Sequence, residues 1–395
     1  MKLFKNLVEA VIDCLKQTLL ENKYSDKVLE RAFKLHPQWG ARDRKFIAES
    51  VYDIIRNYRY LSVIAGSEKS YRMIFAAYLF EKNIPFPEWP EFQTITTEFF
   101  EQNKKSIRSQ AVLLSYPDVL WQLCEKELGP EEWLKQAAAL NESAKVILRV
   151  NTLKTGREEL QKKLLESGIE TESITHFNSA LHMLKRQNIF SNPLFKEGYF
   201  EVQDAGSQLI SEFLQVEPGQ KVIDACAGAG GKSLHLAALM KNKGKIISLD
   251  VEEWKLDNLK KRAKRAGAFN IEARIIENNK TIKQLANSAD RLLLDVPCSG
   301  TGVIKRNPDT KWKLTPELIN KTISLQSSIL HEYSSMLKKG GLMVYSTCSI
   351  LPSENQLQVN KFLEQKNGEF SLIKDKTILP SEGFDGFYMA LLQKN

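Results

Sequence analysis

The chain has 395 residues, 43% of them hydrophobic and 26% charged, the balance of a folded globular protein long enough for two or three domains. That excludes disorder, collagen and a disulfide-stapled scaffold as readings of the whole chain. Lysine and arginine number 56 against 48 acidic residues, a net charge of +8, which suits a polyanionic partner but does not name one.

Leu3, Leu7, Val11 and Leu15 recur at helical spacing, and Glu9 and Asp13 interrupt any signal-peptide core, so an amphipathic first helix is expected. Asp43 to Ile55 reads as a second helix, with Phe46, Ile47, Val51, Ile54 and Ile55 on one face. Pro37 and Gly40 precede it, and Pro85, Pro87 and Pro90 break the chain later. Arg42, Arg44, Lys45, Arg56 and Arg59 fit an RNA-facing surface and an ordinary solvated one equally well. The longest apolar run, Met73 to Phe80, is far short of the ~18 residues a membrane span needs.

Residues 1–125 are thus expected to be helical. A small α/β region, 126–200, follows, with a strand at Val146–Val150 and a helix at Arg157–Ser167 closed by Gly168. Residues 201–395 alternate strand and helix. Strands are predicted at Lys221–Asp224, Lys245–Asp250, Ile271–Ile276, Arg291–Asp295, Gly341–Thr347 and Gly386–Leu391, with helices at Ser233–Met240 and Glu253–Arg265. This alternation predicts a parallel, doubly wound sheet.

The first of these strands runs into Ala225, Cys226, Ala227, Gly228, Ala229, Gly230, Gly231, Lys232 and Ser233. A P-loop needs glycine where Cys226 stands, and a dinucleotide fingerprint needs a third glycine where Ser233 stands. Asp250 ends the next strand, where a carboxylate usually binds ribose hydroxyls. The loop therefore predicts a nucleoside cofactor and no more.

Five cysteines, odd in number and without a Cys-x-x-Cys pair, argue against a disulfide framework and a zinc site and for a reduced, cytoplasmic chain. Cys14 and Cys124 lie in apolar helical contexts and read as packing. Cys298 and Cys348 follow two strands expected to be neighbours, and Asp295 stands three residues before Cys298. A thiolate, a carboxylate and a nucleoside cofactor suit methylation at carbon 5 of a pyrimidine. Thiolate addition at carbon 6 makes carbon 5 nucleophilic, and a proton at ring nitrogen 3 stabilises the adduct.

The run Asp224 to Ser233, the motif Asp295-Val296-Pro297-Cys298 to Gly302 and the motif Ser346-Thr347-Cys348-Ser349 resemble the RNA 5-methylcytosine methyltransferases, most closely those of the bacterial small-subunit rRNA type. Supporting stretches are Leu148 to Lys154, Val202 to Gln208, Arg306 to Trp312 and Asp385 to Tyr388. The resemblance implies a Rossmann-like methyltransferase domain at 201–395. An all-helical, NusB-like RNA-binding domain at 1–125 and a small α/β connecting domain at 126–200 would precede it. It implies S-adenosylmethionine as cofactor, Cys348 as nucleophile, Cys298 in product release, Asp295 on the cytosine ring and Lys232 at the catalytic pocket. Cofactor contacts would come from Ala225 to Lys232, Asp250, Lys255 and Asp295. Where the family has an aspartate that contacts adenine, this chain has Ile276-Glu277-Asn278-Asn279, and Asn278 is the expected substitute.

Base chemistry needs an unpaired nucleotide, so a loop or single-stranded rRNA segment is the expected partner of a monomeric chain without metal. Lys305, Arg306, Lys311 and Trp312 are the expected RNA contacts, and the run Lys260-Lys261-Arg262 with Lys264-Arg265 reads as solvated charge. A tRNA cytosine-5 methyltransferase and a non-catalytic ribosome-assembly factor remain the alternatives.

Overall fold

The front of the chain is helical because its apolar residues fall three and four apart. The helix Lys5–Leu19 buries Leu7, Val8, Val11, Ile12 and Leu15, and the helix Ala41–Arg56 buries Ile47, Val51, Ile54 and Ile55. Gly40 starts the latter, its N–H donating to the Asp43 carboxylate at 3.0 Å. The helix Tyr71–Glu81 carries the densest apolar run and is the most buried. After it, the prolines keep the chain from resuming a long helix until Thr97–Ser106. The structure is a computed structural model describing residues 3–395, so Met1 and Lys2 of the expected first helix lie outside the described residues.

The described chain divides into two compact units. The helical unit holds the residues up to Glu142 together with Ile304–Pro316, a stretch taken from far along the sequence. Within this unit Lys311 is fully buried. Its ammonium donates to the carbonyls of Arg56 and Ser115 at 3.1 Å and to Asn141 Oδ1 at 2.5 Å, and lies 3.8 Å from the centre of the Tyr116 ring. Trp312 Nε1 donates to the Ile55 carbonyl at 2.8 Å, and its ring meets Tyr58 edge-on. Asp309 accepts from the Ser25 hydroxyl at 3.0 Å. This corrects the RNA-contact reading of three of the four residues: Lys305 and Lys311 are buried, and Trp312 packs on the helical core. Arg44 and Arg59 of the candidate basic face are likewise engaged, with the Trp39 carbonyl and with Asp118.

The second unit, Ser143–Val303 with Glu317–Asn395, contains two sheets. Strands β1 (Ile147–Val150), β2 (Thr171–Ser173), β3 (Ala180–Met183) and β4 (Phe200–Val202) form an antiparallel sheet in the order β2-β3-β1-β4. The helix Arg157–Glu166 contributes Leu160 and Leu164 to its core.

The larger sheet comprises β5 (Lys221–Asp224), β6 (Lys245–Asp250), β7 (Ile271–Ile275), β8 (Ala289–Asp295), β9 (Leu337–Thr347), β10 (Phe370–Ile378) and β11 (Phe387–Lys394), in the order β10-β11-β9-β8-β5-β6-β7. Strands β5 to β9 are parallel. Adjacent residues enter opposite cores, Ile223, Leu292 and Met343 one and Val222, Leu293 and Val344 the other. This is why these strands read as unbroken apolar runs.

The expected all-parallel sheet needs correction at its edge. Strand β11 runs antiparallel to β9, and an unpredicted strand, β10, pairs antiparallel with β11. Strand β10 escapes a periodicity reading because only its end residues, Phe370 and Ile378, are buried. From β7 the chain returns to the other side of β5, and that reversal opens a crevice at the carboxyl ends of β5 and β8.

Candidate active site

The loop after β5 presents backbone to this crevice. Gly230 adopts φ +83°, and a Cβ there would lie 2.5 Å from Leu259 Cγ, so only glycine lets the loop close onto the helix Glu253–Ala266. At Gly228 a Cβ would meet nothing within 4 Å, so the crest of the loop is open. Asp250, at the end of β6, accepts from the Gly228 N–H and the Glu252 N–H, both at 2.9 Å. Lys255 pairs with Glu252 at 2.8 Å and sits 4.0 Å from Asp250.

The underside of the loop is held by two arginines. Arg262 donates to the Ala229 carbonyl at 2.8 Å and to Glu201 at 2.9 Å. Arg149, buried on β1, donates to the Gly231 carbonyl at 2.5 Å and to Gln203. Arg265 also pairs with Glu201 and lies over the Phe195 ring. The basic run is therefore partly turned inward, which corrects its reading as solvated charge. Burial raises the Glu201 carboxyl, but Arg262 and Arg265 outweigh it and hold the group below the usual carboxylate range.

A cavity of about 240 Å³ lies against the loop, lined among others by Gln203, Ser207, Asp224, Cys226, Lys232 and Asp295. Asp224 accepts from the Ser233 hydroxyl at 2.6 Å, while its other oxygen is buried without a partner. Burial pushes its carboxyl up to about 7. The expected S-adenosylmethionine fits these groups. The open crest can meet its amino-acid end, Asp250 can meet its ribose, and the orphaned Asp224 oxygen can meet a donor or a cation.

Asn278 has its side-chain amide oxygen engaged. Its side-chain oxygen accepts from the Lys280 N–H at 2.8 Å, capping the short helix Asn279–Gln284. Its NH2 group is what it can offer a base. Neither Asn278 nor Lys255 lines the cavity.

Strands β8 and β9 pair with Asp295 opposite Ser346, so their ends bring the two motifs together. The sulfurs of Cys298 and Cys348 are 3.2 Å apart, and both residues are partly exposed. Asp295 pairs with Lys232 at 2.5 Å and accepts from Ser346 Oγ at 3.0 Å. Burial works against the Lys232 ammonium, but the Asp295 carboxylate more than compensates and holds its pKa above the usual lysine value. The hydrogen bond to Cys348, then burial, pushes the Cys298 thiol well up. In the contact between the two sulfurs either can be the donor, and the Cys348 N–H donates to the Cys298 sulfur at 3.3 Å. Gly302 completes the motif: its N–H donates to the Cys348 carbonyl at 2.9 Å, and a Cβ there would strike the Gly386 carbonyl oxygen at 2.2 Å.

Cys226 lines the cavity as expected, whereas Cys14 and Cys124 are buried in the helical unit. Arg149 and Glu201 escape a sequence reading because each is a lone charge without a local pattern, and Arg262 because it sits in a basic run that reads as solvated charge. Among the described residues no group of three or more His, Cys, Asp or Glu is placed to hold a metal ion, and no helix is long and apolar enough to cross a membrane.

The family described as 16S rRNA methyltransferase RsmB/F matches residues 211–393, and the ferredoxin-like domain of RsmF/B-like methyltransferases matches 116–190. A "probable ribosomal RNA small subunit methyltransferase B" of Synechocystis is 30% identical, the match covering 94% of this chain and 96% of that protein. Ribosomal RNA small subunit methyltransferase B of Vibrio cholerae is 36% identical over 68% of this chain and 63% of its own length. Among solved structures, PH0851 superposes with a TM-score of 0.84 at 26% identity over 100% of both chains. A methyltransferase homolog protein from Pyrococcus horikoshii gives 0.65 at 27% identity over 72% of this chain and 98% of its own.

Proposed function

Because the chain belongs to the 16S rRNA methyltransferase RsmB/F family, we propose that it methylates carbon 5 of a cytidine in small-subunit rRNA through a covalent adduct on Cys348. S-adenosylmethionine is the cofactor of this family, and when bound it supplies an electrophilic methyl group. The observation that carries the finer reading is the thiol pair, 3.2 Å apart, at the ends of β8 and β9, where Asp295 ends β8 and pairs with Lys232.

In this reading the loop 225–231 and Asp250 hold the cofactor, and Lys255 flanks Asp250. The Cys348 thiolate adds to carbon 6, moving the ring's electron pair toward carbon 5. Asp295 binds the ring at nitrogen 3, where a proton stabilises the adduct, and the Lys232 ammonium balances its charge. After methylation, a water molecule takes the carbon 5 proton, the electron pair of that bond restores the ring double bond, and the carbon–sulfur bond breaks with its pair returning to Cys348. Cys298 assists this release.

The helical residues 1–125 are assigned to RNA binding, 126–200 to connection and bracing of the cofactor loop, and 201–395 to chemistry. The names of the relatives favour rRNA over tRNA. Bisulfite sequencing of rRNA from a deletion strain is expected to lose one methylcytosine. An unchanged pattern would overturn the proposal.

A further inference from the structure

Glu354 is fully buried and lies in the turn between β9 and the helix Gln356–Lys366. Its Oε1 accepts from the Ser299 N–H at 2.8 Å and from Gln326 Nε2 at 3.0 Å, and its Oε2 accepts from the Ser299 hydroxyl at 2.5 Å. All three partners are donors, the surroundings of an ionised carboxylate. Among the described residues no Lys or Arg pairs with it.

Gln326 is tied at its other end to the loop, donating to the Pro297 carbonyl at 2.9 Å. The residues on both sides of Cys298 are thereby fixed to one carboxylate. A ring of hydroxyls continues the network: Ser299, Thr301 and Ser349 lie within 3.3 Å of one another, and Ser349 directly follows Cys348. Tyr345 locks the Glu354 backbone by donating to its carbonyl at 2.7 Å.

We infer that Glu354 is a positioning residue for product release, holding Cys298 against Cys348 through Ser299 and Gln326. The inference rests on the covalent mechanism proposed above. It follows from the direction of each contact, because nothing but the loop bearing Cys298 and its Gln326 prop donates to this carboxylate. Its negative charge also favours the protonated form of the Cys298 thiol, after the larger effects of the Cys348 contact and burial.

The test compares the full-length protein with its Glu354→Gln, Ser299→Ala and Cys298→Ala variants under single-turnover conditions. Methyl transfer to RNA and the covalent RNA–protein complex are followed separately. Glu354→Gln is expected to slow release at least tenfold more than methyl transfer, so that the complex accumulates on a denaturing gel. Ser299→Ala should do so about threefold. Release at the wild-type rate in Glu354→Gln, with Cys298→Ala still accumulating complex, overturns the positioning role alone. Absence of complex from Cys298→Ala as well overturns the covalent mechanism and the inference with it. Should Glu354→Gln not fold, Gln326→Ala decides by the same readout: accumulation supports the role, and normal release overturns it.

Discussion

Residues 296–303 and 304–316 are consecutive, yet each is organised around a buried charge of the opposite sign in a different unit. In the first stretch the charge is the Glu354 carboxylate, reached by three donors, and the cysteine it supports is only partly buried. In the second it is the Lys311 ammonium, which donates to carbonyl oxygens and is sealed from water. Burial lowers the Lys311 pKa well below the usual lysine value, but the oxygens around it suit the ammonium. The same device, a buried ion with complementary dipoles, prepares a reactive group in one place and fastens a segment in the other. Only the partial exposure of the two cysteine residues separates a site from a joint.

The largest expected effect falls on the site. Cys348→Ala should lose at least about a thousandfold in activity and form no covalent complex, whereas Cys298→Ala should form the complex and release it at least about a hundredfold more slowly. Complex surviving in the Cys348 variant would reverse the two roles. Lys311→Ala should strike the joint, removing the ammonium that donates to the Arg56 and Ser115 carbonyls and to Asn141. About 3 kcal/mol of stability should be lost in denaturant melts. If cofactor affinity by calorimetry fell by a similar factor, the separation of site from joint would fail.

Asp224 gives a pH-dependent test of the site. Its folded pKa is raised to about 7 from 3.8. The folded state therefore holds this proton more tightly than the unfolded state. That contribution to stability is full below about pH 4 and is lost as pH rises through 7. Asp224→Asn should be more stable than the parent by up to about 4 kcal/mol at pH 8 and no different at pH 4. A gain independent of pH would show that the orphaned oxygen, not the charge, carries the cost. The smallest effect is expected for Arg262→Gln, which loosens the Ala229 carbonyl. Cofactor binding should weaken about fivefold, or about 1 kcal/mol, with the melting curve changed little.

What could be read beforehand depended on whether a function leaves a pattern along the chain. Cys298 and Cys348 lie far apart in sequence, but strand alternation placed both at neighbouring strand ends, and β8 does pair with β9. The glycines of the cofactor loop were legible because backbone recognition requires them at fixed offsets. Glu354 carries no such signal. It is one acid in a polar turn, and its role comes from three donors contributed by two other segments. Lys311 and Trp312 were misread because a basic, aromatic stretch beside a catalytic motif looks the same whether it faces RNA or fills a socket. Arg149 and Arg262 were hidden likewise, since a carbonyl on a distant loop leaves no mark near the arginine that holds it.

The helical unit is assembled from two stretches that the ribosome makes at different times. When Glu142 has emerged, the socket for Lys311 already exists, but the lysine has not been made. The chain must be extended to Pro316 before the unit can close, a wait of roughly ten to thirty seconds at 5–20 residues per second. Until then the carbonyls of Arg56 and Ser115 must stay hydrated, and the place of Trp312 beside Ile55 and Tyr58 stands open. A nascent chain stalled between these points should be more sensitive to protease than one stalled after Pro316.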